Sequence, residues 1–177
     1  MIWLSIIWLM PIFIILLWLP QNVHHEGSHA LAAKLFSATD VKIYPFPEWS
    51  DSWFPDRFAH MTYKLDPDNM PSENERAIIS FAPQLTSTFW IVVLILVLIY
   101  VNIPLWLYTL VSALIVVNFI DASVNLSSVF RVIPKDNQDT WNFIKYIGIK
   151  VWLMRIIILT WYMIFGSAIF IPWHMLL

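Results

Sequence analysis

The chain has no cysteine, three glycines and five histidines, and only 12% of its 177 residues are charged. Without cysteine there can be no disulfide, no thiolate metal site and no cysteine nucleophile. So few charges cannot cover the surface of a soluble domain of this length. Five histidines are too few for a histidine-rich di-iron hydroxylase or desaturase. A net charge of −2 with no basic patch argues against a nucleic-acid partner. Residues 1–19 carry no charge, so the basic start of a secretory signal is missing. No small-residue cleavage site follows, and the first helix is expected to be retained.

What is present is apolar. Hydrophobic residues make up 59% of the chain, with runs at 2–19, 81–101, 103–117 and 156–172 of membrane-crossing or near-crossing length. Eleven tryptophans, many near the ends of these runs, suit an aromatic belt at the bilayer surface. These features predict one integral membrane domain over 1–177, all-α, with about four transmembrane helices and a small β-like insertion on the cytoplasmic side. The helices are expected at about 1–37, with Pro11 and Pro20 as kink sites, then 73–101, 105–126 and 146–172. Ser72 and Glu75 have capping-box spacing at the start of the second. The polar insertion, 39–75, holds strand-like Val41–Tyr44 and Phe58–Leu65, separated by prolines. Residues 127–145 read as a second charged loop, with turn chemistry at Pro134–Asn137. Lys150 and Arg155 are expected to snorkel to the interface. The second and fourth helices offer almost no polar groups, which disfavours a transporter.

All ten lysines and arginines fall in the two polar segments or in the helix ends beside them. The Asn102–Pro104 turn and both termini have none. The positive-inside rule then predicts a multi-pass protein of the cell (plasma or inner) membrane, with charged loops cytoplasmic and termini outside.

At the end of the first apolar run stands His25-Glu26-Gly27-Ser28-His29, an HExxH pattern. On a helix, residues four apart project from one face, so both imidazoles can reach a single Zn²⁺. Glu26 is about 100° round the helix, beside the metal's open position, where it can take a proton from water. A catalytic zinc usually takes three protein ligands. Asp121, a carboxylate within an apolar helix near the same membrane face, is the leading candidate for the third. Asp136, Asp139, Glu48 and His60 are alternatives; Asp136 and Asp139 also read as turn or helix-cap residues. His174 falls on the opposite face. Asn118, one turn before Asp121, is a candidate for orienting that carboxylate or a substrate, packing within the bundle being the alternative.

Over roughly residues 10–126 the order of elements resembles the site-2 protease family of intramembrane zinc metalloproteases. The resemblance rests on the apolar helix running into Val23–Phe36 with its HExxH, on Val41–Pro47 as the following strand, on Phe81-Ala82-Pro83-Gln84-Leu85, and on Asn118 with Asp121. Gly27-Ser28 stands where Leu-Gly is usual, Ala82 where a glycine precedes the proline, and Ala122 where a glycine follows the aspartate. The resemblance implies peptide-bond hydrolysis within or beside the bilayer, on a membrane protein or peptide. His25, His29 and Asp121 would hold Zn²⁺, and Glu26 would be the catalytic base. Two other readings stay open: a non-catalytic relative that binds partners or structural metal, and a hydrolase of soluble peptides.

Overall fold

The apolar stretch at the N-terminus folds as one helix of 34 residues, Ile2–Leu35 (α1), which continues through Pro11 and Pro20. At 1.5 Å per residue it is roughly 50 Å long, enough to carry the HExxH turn away from the apolar end. A computed structural model describes residues 2–48, 59–131 and 138–168. The expected turn at Pro134–Asn137, with Asp136, and His174 lie outside the described residues.

The two strand-like segments form strands Thr39–Tyr44 (β1) and His60–Lys64 (β2), paired antiparallel with Tyr44 opposite His60 and Ile43 opposite Met61. Tyr63, Phe36 and Ala38 pack the sheet against Ala32 and Ala33 of α1 and against Ile79 and Ala82. The small alanines let the sheet approach α1 closely. Lys64 donates to Asp40 across the exposed face, 2.8 Å away.

Glu73–Tyr100 (α2) begins at the expected capping box: Ser72 N–H donates to the Glu75 carboxylate at 2.7 Å, and Glu75 N–H donates back to Ser72 Oγ at 3.3 Å. After a break at 101–104, Leu105–Ser127 (α3) packs against α1 and α2. Ile91, Leu98, Val111 and Ile115 form the α2–α3 seam. Ser28 and Thr86 share a hydrogen bond of 2.8 Å between α1 and α2.

The segment after α3 departs from the expected loop. A short 3-10 turn at Ser128–Phe130 is followed by a helix, Asp139–Ile147 (α4), and the last described helix is Val151–Ala168 (α5). Gly148 separates them. Its φ of 69° is the left-handed conformation that closes a helix, and its N–H donates to the Ile144 carbonyl at 3.0 Å. The expected loop at 127–145 therefore contains a helix, and the helix expected from about residue 146 begins at Val151. Ile144 packs with Ala122, Leu126, Val129, Met154 and Ile158, which fastens α4 and α5 to the end of α3. Arg155 Nε donates to the Val129 carbonyl at 3.2 Å.

Among the described residues the fold is thus mainly helical with one small sheet, and two helices are long and apolar enough to cross a membrane, Glu73–Tyr100 and Leu105–Phe130. Val151–Ser167 is a shorter apolar helix.

The Asp40–Lys64 pair generates a pH prediction. The Lys64 hydrogen bond and charge hold the Asp40 carboxyl below its usual range, and Asp40 raises Lys64 in return. The carboxyl contribution is complete above the unfolded value of 3.8 and is lost as pH falls through the lower folded one. The lysine contribution is lost as pH rises through its raised value. Both groups are exposed, so the effect is small. Amide exchange in 39–44, corrected for intrinsic rates, should accelerate slightly below pH 4, and Asp40→Asn should remove that dependence.

Candidate metal centre

His25 and His29 stand one turn apart on α1, with ring centroids 5.2 Å apart. What each ring does with its outer nitrogen determines where the inner one points. His29 Nδ1 donates to the Ile79 carbonyl of α2 at 2.7 Å. That carbonyl is available because the residue four positions on is Pro83, inside α2, which has no N–H to bond back to it. His25 Nδ1 lies 3.0 and 3.1 Å from the two oxygens of Asp121 on α3. Asp121 Oδ2 also accepts from Gln21 Nε2 at 3.2 Å and Ser87 Oγ at 3.1 Å. With both Nδ1 atoms bonded outward, the Nε2 lone pairs face a common point.

At that point lies Asp139, the first residue of α4. Its Oδ2 is 3.4 Å from His25 Nε2 and 3.2 Å from His29 Nε2. Two things hold it there. Thr140, fully buried, donates to the Asn125 carbonyl of α3 at 2.9 Å, and Trp141 Nε1 donates to the Ser128 carbonyl at 3.0 Å. The positive end of the α4 dipole also favours a carboxylate in its first turn. Burial alone would raise the Asp139 carboxyl, but hydrogen bonds and charge from His25 and His29 outweigh it and hold the group below the ordinary carboxylate range.

Among the described residues, His25, His29 and Asp139 form a group whose ligand atoms all lie within 4.8 Å of one another. Three such atoms this close could hold a metal ion between them. Donors around a tetrahedral metal with bonds of roughly 2.0–2.1 Å lie roughly 3.3 Å apart, and the two distances to Asp139 match that edge. The donor set, two imidazoles and a carboxylate, therefore fits a divalent metal.

The expected third ligand, Asp121, is not in this group; the structure places it behind His25, at Nδ1. The reason is position along α3: Asp121 lies level with Gln21 and Ser87, whereas Asp139 is delivered by a separate helix that packs against α2. Asn118 is buried, donates to Leu114 of its own helix at 2.8 Å, and does not line the cleft. Glu26 does line it, together with His25, His29, Asp139, Asn142 and His60, in a space of about 880 Å³. Gln21 and Ser87 were not visible as site residues in the sequence. The signal for Gln21 was its place one helical turn before His25, and Ser87 had no signal.

No family model matches this chain, and no curated protein and no solved structure gives a significant match.

The geometry predicts about one tightly held divalent metal per chain in protein loaded with zinc. Metal analysis after dialysis should find it lost in His29→Ala and Asp139→Asn. Asp121→Ala and Pro83→Ala should retain it with affinity weakened about 10–100-fold, read by competition with a chelating dye, because each disturbs the outer nitrogen of a ligand. Undisturbed binding in Asp139→Asn together with complete loss in Asp121→Ala would reverse the assignment.

Proposed function

We propose that this chain is a zinc-dependent intramembrane protease, similar in plan to the site-2 protease family, that hydrolyses peptide bonds of membrane-embedded or membrane-adjacent substrates. The observation that carries the reading is the meeting of His25, His29 and Asp139 in a cleft that also holds Glu26. A purely structural metal is usually enclosed by four protein ligands, whereas three ligands beside an open cleft and a carboxylate suit catalysis. That contrast favours hydrolysis over the non-catalytic alternative.

The membrane part of the reading is supported by what the helices present outward. In the apolar window of α2 only 33% of residues are buried, unlike the core helix of a soluble protein. On α1, Ile15 is 73% exposed and Leu16 65%, and Met163 of α5 is 77% exposed. Surfaces this apolar need lipid or protein against them. With the lysine and arginine distribution, this supports a multi-pass arrangement with the sheet and α4 on the cytoplasmic side.

Zinc bound at the three ligands would lower the pKa of a water from roughly 16 toward about 7 and polarise a substrate carbonyl. Glu26 accepts the proton that the water loses as its oxygen bonds to the scissile carbon. The same carboxyl returns that proton to the amide nitrogen as the C–N bond breaks, which leaves a carboxylic acid and a neutral amine before they equilibrate with solvent. Asp121 and the Ile79 carbonyl bond the Nδ1 atoms of the two imidazoles and so turn each Nε2 toward the common point. A helical substrate must unwind to expose its carbonyl, and backbone pairing to the β1–β2 sheet would supply an extended conformation.

Purified protein in detergent, loaded with zinc, should cleave a fluorescent unfolded casein or a single-span peptide with a Gly-Gly break reconstituted in phospholipid vesicles. Glu26→Gln should keep its zinc and lose about 10²–10⁴ in rate, the range for a general base. Zinc bound in wild type with neither probe cleaved would reject the protease reading in favour of a partner-binding protein. Cleavage of casein alone would favour a hydrolase of soluble peptides.

Orientation is tested separately. Because the chain has no native cysteine, single cysteines at Lys42 and at Asn102 should react with an impermeant maleimide from opposite sides of the cell membrane, Asn102→Cys from outside. Labelling of both from one side would overturn the arrangement.

A further inference from the structure

The cleft around the metal ligands is charged with one sign. Glu26, Asp121 and Asp139 all line it, and among the described residues that line it there is no lysine or arginine. Most of the remaining wall is apolar or carries neutral carboxamides, such as those of Asn22, Asn125 and Asn142. The described cations are used elsewhere or face outward. Lys64 donates to Asp40, Arg76 Nε to the Pro71 carbonyl and Arg155 Nε to the Val129 carbonyl. Lys34, Lys42 and Lys145 are exposed. Metal binding requires neutral imidazoles, so a divalent ion offsets only two of the three carboxylates. The His60 imidazole adds no net positive charge, since its Nε2 faces a carboxylate of its own, Glu48, at 3.5 Å. By sequence, 49–58 holds Asp51, Asp56 and Arg57, and 132–137 holds Lys135 and Asp136, so neither stretch is basic.

We propose that this unbalanced negative charge selects the substrate: the cleft takes segments with lysine or arginine beside the scissile bond and turns away aspartate and glutamate. The inference rests on the protease reading above. Carboxylates in a cleft with low-dielectric walls are weakly screened, so their field draws cations in and holds anions out. The arrangement proposed above supplies matching partners. It puts the cleft at the membrane face where this chain's own lysines and arginines gather. Other membrane proteins obey the same positive-inside rule. A substrate helix that presents its cytoplasmic end to the cleft therefore brings basic residues with it. The substrate class is the basic juxtamembrane end of a transmembrane segment.

The probe is the single-span Gly-Gly peptide in three versions, with lysine, asparagine or aspartate on both sides of the break. A nonionic detergent removes any effect of these charges on how the peptide sits in a bilayer. With the zinc-loaded full chain, kcat/KM should fall about 10–100-fold from the lysine to the aspartate version at low salt, and the ratio should shrink as salt rises. Phosphinic versions of the peptides, which are not cleaved, should bind in the same order by fluorescence anisotropy. Asn142→Lys on α4 and Met61→Lys on β2 each add a cation to the cleft wall, at positions assigned neither to metal nor to catalysis. In whichever of the two keeps its zinc, the lysine-to-aspartate ratio should drop by about tenfold. Equal kcat/KM for the lysine and aspartate peptides in wild type would overturn this inference and leave the protease reading standing. A ratio unmoved in a zinc-replete lysine variant would overturn it as well. Cleavage of none of the three would reject the protease reading, and the binding order would then decide by itself whether the cleft selects basic segments.

Discussion

Asp139 Oδ2 sits 3.4 Å from His25 Nε2 and 3.2 Å from His29 Nε2, an arrangement that holds only with a shared proton or a metal ion among the three groups, and this is the constraint at the centre of the molecule. The rest of the site is organised around that constraint. Each histidine is turned inward by a bond at its other nitrogen, to Asp121 for His25 and to a helix carbonyl for His29. The carboxylate arrives from a separate short helix whose first turn is pinned to α3 by Thr140. Four helices therefore contribute to a centre whose recognisable motif lies on one of them.

An apolar bundle has few groups with which to build such a centre. Most of its hydroxyls bond back to their own helix, as Thr88 does to Gln84, Thr109 to Leu105, Ser112 to Tyr108 and Thr160 to Ile156. Those bonds use the hydroxyl proton and leave only acceptor capacity for a neighbour, as where Trp161 Nε1 donates to Thr88 at 3.0 Å. At the site the pattern changes: Gln21, Ser87 and Asp121 bond to one another across three helices. Pro83 makes the same exchange with the backbone, withholding one hydrogen bond from α2 so that the Ile79 carbonyl can hold His29. The resemblance to the site-2 proteases singled out the Phe81–Leu85 segment by its proline, and the geometry supplies a physical use for that residue.

Ser28, inside the HExxH turn, bonds in two directions. It occupies a position inside HExxH where glycine is usual in the resembling family, and its hydroxyl bonds both the His24 carbonyl and Thr86 of α2, each at 2.8 Å. It thus ties the motif turn to α2 with a polar contact. Gly27 has no atom within 4 Å of where a side chain would begin, so its lack of a side chain is not required by packing there.

Much of the architecture was legible in local patterns. The long apolar run set α1, Ser72 and Glu75 marked the start of α2, Pro104 preceded α3, and the Val41–Tyr44 pattern announced a strand, because each of these depends on neighbours a few residues away. His25, Glu26 and His29 were legible for the same reason: one helical turn decides that they share a region. The helix at Asp139–Ile147 was not, since nine residues with modest apolar content form a helix only when Ile144 has the end of α3 to pack against. Nor could the sequence choose between Asp121 and Asp139, both carboxylates at plausible depth. That choice depends on where α4 folds relative to α1, at a sequence separation of 110 between His29 and Asp139, and only tertiary packing sets it.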